Sequence, residues 1–183
     1  MRIISASLLL FILPSCSRPS PTITPWREML GLRSECSAAP LGAPSSWVRW
    51  PVASPAGELR LPPSFRSAGG ATGQTLWLGS DSSEVAYVVS PEPSSAMAGQ
   101  SPLLSRLRRP SYRLERACRM GVGGHEASMD TFQQVDSAKT DTVFGLAASV
   151  AISERQFAEV LVLTPKAAMR DSVLGAVASL RWP

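Results

Sequence analysis

Phe144-Gly145-Leu146-Ala147-Ala148-Ser149-Val150-Ala151-Ile152 places Phe, Leu, Ala148, Val and Ile at every second position, with Gly, Ala and Ser between them. Period two is the strand period. Ser153-Glu154-Arg155-Gln156 turns the chain, and Phe157 to Leu163 returns as a buried strand. Thr164-Pro165 then carries the cap-plus-proline signature that opens a helix. Its apolar stripe, Met169, Val173, Val177 and Leu180, must lie on something, and the adjacent sheet is the only candidate. An antiparallel strand pair with a helix packed on it makes the expected fold α+β.

Upstream, Tyr112, Leu114, Arg116, Cys118, Met120 and Val122 alternate with Arg113, Glu115, Ala117 and Arg119, the most legible strand of the chain. Arg116 shares a face with Leu114 and Cys118 in this pattern, which predicts that it is partly buried and paired. Gly121, Gly123 and Gly124 break the strand in a bulge or bend before a second stretch around Ala127 to Val135. Gln74 to Gly79 and Glu84 to Ser90 read as two strands joined by the turn-rich Ser80-Asp81-Ser82-Ser83. Strand patterning starts at Trp47, and Glu58-Leu59-Arg60-Leu61 alternates until Pro62-Pro63 ends it. Residues 37–46 and the long Pro/Ser/Gly segment 91–111 read as loops. Near the start, Thr24-Pro25 sets up a short helix, with threonine as N-cap, Trp26, Met29 and Leu30 on its apolar side and Gly31 as its stop.

The first residues are an address. Arg2 is the only charge before the uncharged stretch Ile3 to Leu13, long enough for the core of a secretory signal and too short to span a bilayer, which takes about 20 apolar residues. The stretch ends in Leu13-Pro14-Ser15-Cys16. This resembles the lipobox of bacterial lipoproteins, and the resemblance implies cleavage before Cys16 and attachment of a diacylglycerol to its thiol. It also implies an outer-membrane location facing the periplasm, because Ser17 rather than an acidic residue follows the cysteine. The competing interpretation is an ordinary secretory signal cut near Ser15 or Ser17. A buried helix of a cytosolic domain does not fit, since Ser17-Arg18-Pro19-Ser20-Pro21 follows at once with linker composition. The expected organisation is a signal peptide over 1–15, a lipid-anchored Ser/Pro tether over 16–25 and a single domain over 26–183.

Removing residues 1–15 leaves 168, enough for one domain with a real core. Arg2 is lost with them, so 17 of the 18 basic residues face 14 acidic ones, a net charge of +3. That is too small to argue for nucleic acid. With Cys16 assigned to the anchor, Cys36 and Cys118 remain. In an oxidising envelope they read as one disulfide, and otherwise as two buried free thiols. A metal site is not expected, because no C-x-x-C exists and the chain holds a single histidine.

A second resemblance covers residues 47–183. Gly57-Glu58-Leu59-Arg60-Leu61-Pro62 runs into Pro63-Ser64-Phe65-Arg66 as a first strand and an apolar entry to the core. A hairpin, a late antiparallel pair and a helix ending Ala178-Ser179-Leu180-Arg181-Trp182 follow. This order is similar to PsbP-like domains and implies their α/β/α sandwich, with a mainly antiparallel sheet. It implies nothing about activity.

Three features invite chemistry. His125 has Glu126, Ser128 and Asp130 close in sequence, but no G-x-S-x-G elbow is present, and Met129 stands where H-E-x-x-H needs a histidine. Gly121-Val122-Gly123-Gly124 lacks the third glycine of the dinucleotide fingerprint and any Gly-Lys-Ser/Thr tail, so a turn or bulge is expected. Arg106, Arg108, Arg109, Arg113, Arg116 and Arg119 crowd together with one acid, Glu115, between them. Arginine forks bind carboxylate and phosphate bidentately. This strip therefore offers a surface for anionic lipid or an acidic envelope protein, against the plainer account of a solvated strand face with counterions. The expected function is a non-enzymatic binding or scaffolding domain of the envelope with no cofactor. The alternative is an envelope hydrolase whose site is assembled from scattered Ser, Asp and Glu with His125.

Overall fold

The structure, a computed structural model, describes residues 23–36, 43–52, 56–70, 74–91, 112–135 and 142–183. Leu13 to Cys16 and Arg106, Arg108 and Arg109 lie outside the described residues. Helix α1 spans Ile23–Gly31 and helix α2 Ala167–Ala178. Between them run β1 (Val48–Val52), β2 (Gly57–Leu61), β3 (Phe65–Gly69), β4 (Gln74–Gly79), β5 (Glu84–Ser90), β6 (Tyr112–Val122), β7 (His125–Val135), β8 (Thr142–Ser153) and β9 (Gln156–Thr164).

Seven strands form one antiparallel sheet in the order β3-β4-β5-β9-β8-β7-β6, while β1 and β2 pair as a separate hairpin. Strands β6 to β9 form a run of hairpins, and β9 closes this run onto β5. The chain therefore jumps once, from β5 to the far edge at β6. The terminal elements are as the residues of 144–180 predict: β8 and β9 pair, and Val173, Val177 and Leu180 are fully buried under the sheet. Helix α2 opens later than Thr164-Pro165 suggests. Lys166 occupies the cap position with no side-chain cap, and Thr164 Oγ1 instead accepts the Lys166 N–H at 3.2 Å.

The two faces of the sheet differ. Tyr87, Met129, Ala148, Val160 and Val162 point to the face covered by α2 and the β1–β2 hairpin, where Leu59, Leu61 and Val52 complete the main core. The C-terminal end is tied into this layer. Glu58 and Arg181 exchange backbone hydrogen bonds at 3.0 and 3.2 Å, and the Arg60 N–H donates to Ser179 Oγ at 3.0 Å. The opposite face carries Phe132, Ala147, Leu161 and Ala86 and, towards one end, Phe157 beneath Trp26 and Leu30 of α1.

Three details refine or depart from expectation. Residues 63–66, expected only as an apolar entry to the core, lead into an edge strand, β3. The glycine break is a two-residue hairpin turn: Val122 pairs with His125, and Gly123 and Gly124 have φ of 58° and 85°, left-handed values that glycine tolerates best. The third is a bulge in β6. Leu114 pairs with Phe132 but Arg116 with Thr131, so Glu115 is the extra residue. An inserted residue inverts the alternation, so Leu114 shares the face of Phe132 while Cys118, Met120 and Val122 face the main core. Arg116, expected to be half-buried beside Leu114, is exposed.

Candidate functional site

The end of the sheet where the β6–β7 turn meets both helix ends holds an open groove of about 860 Å³, lined among others by Leu30, Cys36, Arg119, His125, Glu126 and Arg181. Three links bring the chain after α1 to this place. The Arg119 N–H donates to Ser34 O at 2.9 Å, and the Cys36 N–H donates to Arg119 O at 3.0 Å, so residues 34–36 lie along the outer edge of β6. The Cys36 and Cys118 sulfurs stand 2.10 Å apart, at bonding distance, with their Cα atoms 5.0 Å apart. Arg33 reaches over the edge and forms a buried ion pair with Asp130, its Nη2 lying 3.3 Å from Oδ2 and its Nη1 also bonding Oδ1. Asp130 follows Met129 on β7, so it falls on the α1 face, where Ser128, Ser149 and Glu159 form a buried polar row.

The pleat divides the residues of the hydrolase alternative. His125 stands on the α2 side, with its Nδ1 3.1 Å from Ala151 O and its ring edge-on to Trp182 at 5.3 Å. Glu126, Ser128 and Asp130 alternate to the other face, and Asp130 is held by Arg33. The structure therefore does not bring the sequence-adjacent set together as nucleophile, base and orienting carboxylate. Among the described residues, no group of three or more His, Cys, Asp or Glu is placed to hold a metal ion. None of the described helices is long and apolar enough to cross a membrane.

The arginines are divided too. Arg113 pairs with Gln133 and, after the bulge inverts the pattern, lies with Arg116 on the α2 side, while Arg119 opposite Ser128 points to the α1 side. Arg113, Arg116 and Arg119 are all exposed. Arg119 lies 3.7 Å from the Glu35 carboxylate, a solvent-exposed pair worth little energetically. Glu115, the single acid of the strip, is engaged by Gln133 and by Arg170 of α2. This leaves Arg113 and Arg116 as two neighbouring exposed cations of the same edge.

Two interactions had no signal in the sequence. The Arg33–Asp130 pair joins positions 97 apart, and nothing in either neighbourhood names the other. Tyr87 is fully buried in the main core, and burial pushes its phenol above the ordinary tyrosine value, with the Trp182 indole pulling weakly the other way.

No protein-family model matches the chain, and no curated protein matches it in sequence. Among solved structures, the cyanobacterial PsbP of Synechocystis superposes with a TM-score of 0.51 at 12% identity, covering 82% of this chain and 98% of that one. A Pseudomonas aeruginosa protein of unknown function gives a TM-score of 0.34 at 11% identity, covering 72% of this chain and 91% of that one. At this identity the first likeness concerns the fold alone: the chain is built as a mainly antiparallel sheet with a C-terminal helix and a short N-terminal helix, as in the PsbP structure.

Proposed function

We propose that this chain is an exported domain, anchored by a lipid on Cys16 in the bacterial cell envelope at the outer membrane, and that it binds or scaffolds another envelope component. The observation that carries this reading is the Cys36–Cys118 pair, two cysteines distant in sequence whose sulfurs meet at bonding distance. Such a bond persists in an oxidising compartment and is reduced by cytosolic thiol pools. Leu13 to Cys16 supplies the matching address. The hydrolase alternative draws no support from a histidine turned towards Ala151 O and Trp182, on the far face from Ser128 and Asp130.

Binding falls to the arginines. Arg113 and Arg116 stand exposed on β6, and Arg106, Arg108 and Arg109 immediately precede that strand in the chain. Their forks suit carboxylates or lipid phosphates, and Arg119 adds a cation on the opposite face. The test is charge reversal: Arg108→Glu, Arg109→Glu and Arg113→Glu together, assayed by co-sedimentation with anionic phosphatidylglycerol vesicles and by cross-linking in intact envelopes. Both signals should be lost. Vesicle binding and cross-links equal to those of the parent chain contradict the arginine surface.

A further inference from the structure

We propose that the Cys36–Cys118 bridge is a thiol–disulfide exchange site for a dithiol protein of the C-x-x-C class, and that opening it releases residues 23–36 from the sheet while the rest of the domain stays folded.

The attachment of α1 is separable from the main core. Trp26 and Leu30 pack with Phe157 in a small cluster of their own, and the core beneath α2 takes no buried residue from α1. Small clusters outside the main core are the regions that open at low free energy. Beyond that cluster, α1 is held through residues 33–36: by two backbone hydrogen bonds at the β6 edge, the exposed Glu35–Arg119 pair, Arg33 bonded to Asp130 and to Met129 O, and the disulfide, whose Cys36 also packs against the main core. The ion pair is itself a fragile fastening, because two charges removed from water hold together only while their geometry is kept. The covalent bond at Cys36, three residues after Arg33, keeps it.

The two cysteines are unequally exposed. Cys118 is 2% exposed, whereas Cys36 is half-buried and lines the open groove. An incoming thiolate therefore attacks Cys36 Sγ, and exchange depends on such access. A partner–Cys36 bond forms as the Cys36–Cys118 bond breaks, and Cys118 leaves as a thiolate that takes up a proton. The second thiol of the partner then attacks the partner's own sulfur in the mixed disulfide, releasing Cys36 as a thiolate that is protonated in turn. The partner ends oxidised by two electrons, and the chain ends with two thiols. One consequence rests on the lipid-anchor reading: residues 23–36 would join the tether and add about 45 Å of reach at full extension.

The test takes the full-length chain, isolated oxidised in detergent, and compares hydrogen exchange and tryptic cleavage before and after dithiothreitol. Reduction should raise exchange in residues 23–36 by roughly ten-fold or more. It should also open cleavage after Arg27 and Arg33, while β8 and β9, lowered by the loss of global stability, stay far better protected than residues 23–36, and Cys36→Ser should behave as the reduced chain. A C-x-x-S variant of a thioredoxin-type protein should be trapped on Cys36, as read by peptide mass. Unchanged protection of 23–36, exchange of β8 and β9 at the same rate as 23–36 after reduction, or trapping on Cys118 overturns the proposal. None of these readouts depends on acylation of Cys16, so failure of the latch and failure of the anchor appear in different measurements.

Discussion

The ring of Phe132 on β7 lies directly against Gly145, its partner on β8. A Cβ built on Gly145 would fall 2.1 Å from Phe132 Cζ. Phe132 is fully buried, so its ring has little room to retreat, and glycine is required here by close approach. Gly145→Ala should therefore cost about 2 kcal/mol by overpacking, read as a lowered midpoint in urea unfolding. Gly121→Ala is the control: nothing lies within 4 Å of its built Cβ, and its stability should match the parent within about 0.5 kcal/mol.

The Arg33–Asp130 pair predicts a pronounced asymmetry. Arg33→Met removes the guanidinium from a carboxylate that is 2% exposed and should cost about 3 kcal/mol. Replacing both as Arg33→Met with Asp130→Leu should recover a substantial part of that loss. A double-mutant cycle by denaturant unfolding measures the coupling.

Tyr87 predicts an alkaline limb. Burial raises its folded pKa above its unfolded value, so the associated stability is fully present below about pH 10 and is lost as pH rises through the folded pKa. Unfolding free energies measured from pH 9 upward should decline less steeply in Tyr87→Phe than in the parent. Phenolate absorbance assigns the late titration, since Tyr112 is the only other tyrosine.

The cysteine pair closes a loop across 82 positions, and on the chain-entropy account reduction should lower global stability by about 4 kcal/mol. Cys36→Ser with Cys118→Ser should reproduce that loss and should respond no further to dithiothreitol.

Most of the fold was legible because each element carries its own period. Gln74–Gly79, Glu84–Ser90 and Tyr112–Val122 begin and end at turn residues visible in the chain, and the α2 stripe needed a sheet that the preceding strands supplied. The β6 bulge was not legible, since an inserted Glu115 leaves local alternation intact and shows only in the pairing with β7. It alone puts Arg113 and Arg119 on opposite faces and separates Arg116 from Leu114. Of the candidate site, the Cys36–Cys118 pairing was readable from cysteine count and the expected oxidising compartment. The Arg33–Asp130 pair and the separation of His125 from Asp130 were not, because they depend on which side of the pleat each side chain takes.

The envelope reading is tested most simply by the intact mass of the protein taken from its native membrane, recorded before and after reduction and thiol alkylation. The expected result is a chain beginning at acylated Cys16, with two alkylatable thiols appearing only after reduction. An unacylated chain that retains residues 1–15, with Cys36 and Cys118 alkylated without reductant, would contradict it.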